Sequence, residues 1–260
     1  MTFDQETHDR LRFERNPLKV VVAQVRFPTS YLLGDPGVQG RIQAEFLERF
    51  PEALPPVQEI MVALTQRGPE QIQTKQGPAR FADPTKRTIV SIGPAMASLE
   101  TTFYEGWERF REQIADVLDV VARHGSPTGM TRFGLRYVDE IAIDEMVSIS
   151  DWSRALSDSV LGDANSLARD PRTIRTQQRV TIPIGEDVVN AIHGYVRNLE
   201  PGGQPASTYV IDADIFTEAA GPWDIESTLD RADRYHRWMI NVFVRSLTHD
   251  GIELMGGTER

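Results

Sequence analysis

The segment Thr131–Ile143, TRFGLRYVDEIAI, alternates with a period of two. Phe133, Leu135, Tyr137, Ile141 and Ile143 fall on one side; Arg132, Arg136 and Glu140 fall on the other. Successive side chains of a strand point to opposite faces. This spacing of aromatic and β-branched residues therefore predicts a strand with one buried face and one open face. Asp139 interrupts the apolar side. It is either a strand-end residue or a buried carboxylate that needs a partner.

Similar alternation recurs before and after this segment. In Leu18–Pro28, Val21, Ala23, Val25 and Phe27 share a side, Gln24 and Arg26 take the other, and Pro28 ends the run. Ser207–Thr217, STYVIDADIFT, alternates in the same way and puts Asp212 and Asp214 on one face. Val57–Gln66 reads as a further strand, and the residues from Gln71 to Glu100 read as a meander cut by Gly77-Pro78, Asp83-Pro84 and Gly93-Pro94. Arg172–Ile184 and Val188–Asn198 read as a hairpin turning at Gly185, Glu186 and Asp187, and Leu199–Ala206 as a loop.

Helical spacing occupies the intervals. Val38–Phe50 carries Ile42, Phe46, Leu47 and Phe50 on one line, and Thr101–Arg123 carries Trp107, Phe110, Ile114, Val117, Leu118 and Val121. Gly125 and Pro127 end the second of these. Asp151–Leu161 reads as a short helix with Ser150 or Asp151 as its N-cap. Asp224–Thr248 reads as a long closing helix with Ile225, Leu229, Ala232, His236, Met239, Phe243 and Ser246 inward.

A strand series followed by a long helix, twice, favours α+β over a parallel βαβ sheet. The expected architecture is a twisted antiparallel sheet with the long helices on one face. It would be built from two repeated β-α-β-β-β-α halves in a saddle-like arrangement. Residues 1–16 read as a loosely ordered lead-in, 17–127 as the first half and 128–260 as the second, all within one continuous domain.

Bulk composition narrows the function. The chain has 260 residues and a formal net charge of −10, and it lacks cysteine. Disulfides, thiolate catalysis and cysteine-ligated metals are thereby excluded. An acidic surface, with a pI near 5.1, makes nucleic acid and anionic lipid poor partners. No run reaches the length of a membrane helix, and the polar N-terminus has no signal-peptide core, so a cytoplasmic location is expected. Lysine occurs only at 19, 75 and 86, none of them in a phosphate-binding motif.

No pattern points to a catalytic residue, a cofactor or a metal. GxGxxG, GxxxxGK[ST], GxSxG and HExxH are all missing. Asp212 and Asp214 stand roughly 6–7 Å apart along a strand, but no lysine follows to complete a nuclease-type metal site. His8 lies in the lead-in, and His124 and His249 read as charges near helix ends. The aromatics of YEGWERF, Tyr104–Phe110, read as core. The candidate ligands are the polar positions of the open face: Arg26, Arg132, Arg136, Glu140, Asp212 and Asp214. A guanidinium binds carboxylate or phosphate through two parallel bonds, which suits partner recognition. An enzyme or small-ligand sensor would instead use a pocket between sheet and helices lined by Asp139, His193 and His236. A nucleic-acid surface would need Arg172, Arg175 and Arg179 gathered with the sheet arginines.

The segments NPLKVVVAQVRFP, LETTFYEGWERF, RFGLRYVDEI and RYHRWMINVF together resemble a sporadically distributed bacterial family of conserved proteins about 250 residues long. Its function is unknown, and the match runs roughly from Asn16 to Met255. RxGLRYV-[DN]-x-I and YxxWxxF are the most specific parts. The resemblance implies no activity. The family's patchy distribution is that of accessory or defence genes. As topology alone, the repeated strand and helix order is similar to the saddle of the TATA-box-binding protein. The expectation is a non-enzymatic protein that binds a protein partner, or itself, through the open sheet face.

Overall fold

The structure, a computed structural model, describes residues 11–14, 16–55, 58–65, 68–161, 170, 172–198 and 206–259. The first half contains β1 (Leu11–Phe13), β2 (Leu18–Arg26), α1 (Pro36–Phe46), β3 (Glu52–Leu54), β4 (Gln58–Thr65), β5 (Gly68–Gln76), β6 (Ala79–Ala82), β7 (Thr88–Gly93), β8 (Met96–Thr101) and α2 (Trp107–Gly125). The second half contains β9 (Arg132–Ala142), α3 (Asp158–Leu161), β10 (Gln178–Ile184), β11 (Asp187–Asn198), β12 (Ala206–Thr217), α4 (Ile225–Ser246), α5 (His249–Leu254) and β13 (Gly257–Glu259). The expected loop at 199–205, most of the lead-in, and His8 lie outside the described residues.

The fold is α+β on a twisted antiparallel sheet. Nine strands run in the order β10-β11-β12-β9-β2-β8-β7-β6-β3. The order is the same on either side of the β9–β2 pair: the third strand of each meander comes first, then the second, then the first. Pairs β1–β13 and β4–β5 form separate two-stranded ribbons. The expected loose lead-in is thus corrected at Leu11–Phe13, which pairs with Gly257–Glu259 while Phe13 meets Phe243 edge to face.

Two units share the chain. One holds residues up to Val21 with Gly134–Thr217 and Asp230–Arg260; the other holds Val22–Phe133 and Glu218–Leu229. In the latter, Asp35 caps α1 by accepting from Val38 N at 3.0 Å, and Pro36 at the first helical position has no N–H to leave unsatisfied. Helix α1 stops at Phe46, short of the expected Phe50, and buries Val38, Ile42 and Phe46. Helix α2 starts at Trp107 rather than Thr101, because Thr101 still belongs to β8, with its hydroxyl 3.0 Å from that of Thr88. Its stripe from Phe110 to Val121 is buried as the spacing demands. Gly125 is its last residue, where a Cβ would lie 2.7 Å from Leu33 Cδ1; the left-handed residue that ends it is Ser126, at φ +42°.

In the other unit, β9 buries Leu135, Tyr137, Asp139 and Ile141 and exposes Arg136, Glu140 and Ala142. Strand β12 alternates from Ser207 to Thr217, and Tyr209, Ile211, Ala213 and Ile215 enter the core. Helix α4 covers that side: Tyr235, Met239, Phe243 and Val244 are buried. The expected helix over Asp151–Leu161 is instead a 3-10 turn at Asp151–Arg154 and the single turn α3. The Asp151 carboxylate is spent on the preceding bend, accepting from Val147 N at 3.1 Å and Ser148 N at 2.7 Å, so it caps nothing after it. Trp152 plugs the core there, donating to Ser207 Oγ at 2.9 Å.

Candidate binding face

The open side of the Gly134–Thr217 unit is built from strand alternation. β11 and β12 pair with Asn190 opposite Asp214, Ile192 opposite Asp212 and Gly194 opposite Val210. These positions face away from the buried set, and the β12 members are half-buried. From β9, Arg136 reaches across to Asp212 through two parallel bonds, Nε to Oδ1 and Nη2 to Oδ2, both 2.7 Å. That geometry matches a guanidinium fork to a carboxylate. Asn190 accepts from Thr181 Oγ1 at 2.8 Å. Glu140 is exposed four residues further along β9. Between these polar groups lie half-buried Val138, Val188, Ile192, Val210 and Phe216. The sequence reading missed this apolar component, although the alternation that exposes Asp212 equally exposes Val210 and Phe216.

The other sheet arginines form their own group in the Val22–Phe133 unit. Gln24 Oε1 accepts from Arg26 Nε at 3.1 Å and from Arg132 Nη1 at 3.3 Å. Of the β10-side arginines, Arg172 is held by the Asp170 carboxylate at 2.9 and 2.6 Å. That pairing and a hydrogen bond to the Arg172 backbone N–H bring the exposed Asp170 carboxyl down to about 2. Arg175 bridges Val196 through its backbone, and Arg179 is exposed on β10.

The three pocket candidates are packed into the core side. His236 sits on α4 with Nδ1 2.7 Å from Tyr137 Oη, and burial pulls it down to about 4. His193 Nδ1 is 2.8 Å from Tyr209 Oη, and burial lowers it as well. Asp139 lies on the same side of β9 as Tyr137, and burial alone pushes it up to about 7. A further polar cluster escaped the sequence reading: Asp187 Oδ1 accepts from Arg231 Nη1 at 2.7 Å and Tyr235 Oη at 2.6 Å. Asp187 had read as a turn residue; the signal was the Arg231/Tyr235 spacing on one helix face. In the Val22–Phe133 unit, a cavity of about 10 Å³ lined by Ala23, Val25, Leu99, Ile114 and Phe133 holds no more than a water.

His124 lies in the last turn of α2 and bonds Glu45 Oε1 at 2.5 Å. His249, expected near the end of a helix, is the first residue of α5 and pairs with Glu253 at 3.3 Å, so the dipole does not favour its charge there. Among the described residues no group of three His, Asp or Glu is placed to hold a metal ion, and no helix is long and apolar enough to cross a membrane. Comparison with protein-family models and with curated proteins returns no match to this chain.

Proposed function

We propose that the chain acts by binding a protein partner on the open face of β10, β11, β12 and β9. The observation that carries this reading is the bidentate Arg136–Asp212 pair set among half-buried Val138, Ile192, Val210 and Phe216. Arginine and aromatic side chains amid aliphatic ones are the composition that protein interfaces favour. An exposed ion pair adds at most about 1 kcal/mol to folding, so stability alone gives little reason to build this one so squarely. Covered by a partner, the same pair sits in lower dielectric and becomes an orienting contact. The two most specific segments of the family resemblance lie in β9 and at the start of α2, which makes β9 the common element of the resemblance and the face.

The test compares wild type with Val210→Glu, which adds a charge in the middle of the face without touching the core. Cross-linked capture from the native host should recover a partner with wild type and lose it with the variant, while both melt within a few degrees of each other. Recovery of the same proteins by both chains would refute the reading.

A further inference from the structure

Strand β10 is the last strand at one end of the nine-stranded sheet. Among the described residues nothing pairs with its outer edge, and all seven of its residues are exposed. Val180, Ile182 and Ile184 lie opposite Ala191, Val189 and Asp187, on the side of the sheet that carries α4. They are 40%, 45% and 41% exposed. Sheet edges are usually guarded against pairing by lysine, inward charge or a bulge. On this side β10 has no charge at all; its guards, Arg179 and Pro183, stand on the other side.

The hairpin geometry decides which backbone groups the edge offers. Ile184 and Asp187 close a two-residue turn of Gly185, at φ +63°, and Glu186. A pair closing such a turn exchanges its hydrogen bonds inward, and inward and outward residues then alternate. Arg179, Thr181 and Pro183 therefore turn their backbone groups to the free edge. The Thr181–Asn190 side-chain bond of 2.8 Å agrees, because outward pairs bring their side chains closest. The edge thus presents the N–H groups of Arg179 and Thr181 and the carbonyls of Arg179, Thr181 and Pro183.

We propose that β10 pairs with β10 of a second copy of this chain, antiparallel, about a two-fold axis at Thr181. This register overlaps the whole strand and uses every outward donor. The two Thr181 residues exchange N–H···O bonds, and each Arg179 N–H meets the other copy's Pro183 carbonyl. The missing donor of Pro183 then falls at the ends of the joint, where the Arg179 carbonyl is open to water. Val180 of each copy meets Ile182 of the other, covering the exposed apolar row. Charge matches too. Arg179 is the sole cation of β10 and stands near one end, while exposed Glu186 stands at the turn beyond the other. Antiparallel self-pairing places each Arg179 opposite Pro183 of the other copy and three residues from that copy's Glu186, roughly 10 Å along the strand and within reach of the long arginine side chain, once at each end of the joint. A strand of unrelated sequence could use the same edge, but this two-fold match of donors and charges is a property of the strand with itself.

The proposal does not depend on the partner reading above. If both hold, the joined sheets carry two Arg136–Asp212 pairs on one continuous surface. The experiment is the mass of the full chain by light scattering and sedimentation between about 1 and about 100 µM, with no partner added. Wild type should rise from monomer to twice that mass. Ile182→Lys, with an unchanged far-ultraviolet spectrum, should stay monomeric throughout. Arg179→Glu alone and Glu186→Arg alone should each raise the dissociation constant roughly tenfold, and the two together should restore it. A monomeric wild type across the range, a dimer indifferent to Ile182→Lys, or a double swap no better than its single parents would each overturn the proposal.

Discussion

Asp139 and His236 carry opposite pH dependences within one unit. Burial raises the Asp139 carboxyl from 3.8 to about 7 and lowers the His236 imidazole from 6.5 to about 4. Well below pH 3.8, Asp139 is protonated whether the chain is folded or unfolded, and it costs nothing. As pH rises towards 7, the unfolded chain loses that proton while the folded one keeps it, so Asp139 removes stability. His236 does the reverse: between 6.5 and 4 the unfolded chain gains a proton that the folded chain refuses, so stability falls as pH falls. Each contributes a slope of up to about 1.4 kcal/mol per pH unit, with opposite signs. Wild type should therefore be nearly flat from about pH 4.5 to 6. Asp139→Asn should uncover the histidine slope, with stability rising by about 1 kcal/mol per unit over that window. Urea midpoints at half-unit pH steps read this directly, and a slope in wild type equal to that of the variant would mean that Asp139 ionises freely in the fold.

The turn around Trp152 is the element that sequence periodicity handled worst, and its stability is testable. Trp152 is fully buried; its indole donates to Ser207 Oγ, which in turn donates to the Met146 carbonyl at 2.5 Å. Ser207→Ala leaves an indole N–H and a carbonyl unpaired and should cost about 1–3 kcal/mol. Trp152→Ala should cost about 3–5 kcal/mol, and the double variant less than the sum, because the two share one bond. Chemical denaturation of the four chains checks both. The contrast with β9, β12, α2 and α4 is physical. Those elements are long enough for period two or period 3.6 to repeat several times, and their inward residues were legible from spacing alone. Asp151–Leu161 spans only about three turns, and its acid serves the bend before it. Tertiary contacts decided its shape, and no local pattern encodes them. The candidate face was half legible. Arg136, Asp212 and Asp214 lie where alternation predicts, but the bond from Arg136 to Asp212 needs the β9–β12 neighbourhood, which joins strands some 76 residues apart in sequence. Edge status is likewise a property of strand order, so nothing within Gln178–Ile184 announces it.

At the scale of the whole molecule, the contact units cut across the sequence halves. The unit built on Gly134–Thr217 also takes the chain up to Val21, and the unit built on Val22–Phe133 takes Glu218–Leu229. A cut between residues 127 and 128 therefore deprives each unit of a piece. The later fragment loses β1, whose partner is β13, and Pro17, whose carbonyl accepts from Glu140 N at 2.8 Å. The earlier fragment loses Thr131, which donates to Arg26 O at 2.8 Å, and Trp223, which meets Phe27 edge to face at 5.6 Å. An unpaired inner strand leaves apolar surface and backbone groups without partners, which a domain with a margin of only 5–15 kcal/mol cannot absorb. Residues 128–260 expressed alone should show poorly dispersed amide resonances and no cooperative melt, and 1–127 alone should behave likewise. Mixed or coexpressed, the two fragments should recover a single cooperative transition, because all the strands are then present and only one loop is open. A sharp melt from either fragment by itself would instead mean that each sequence half closes its own core.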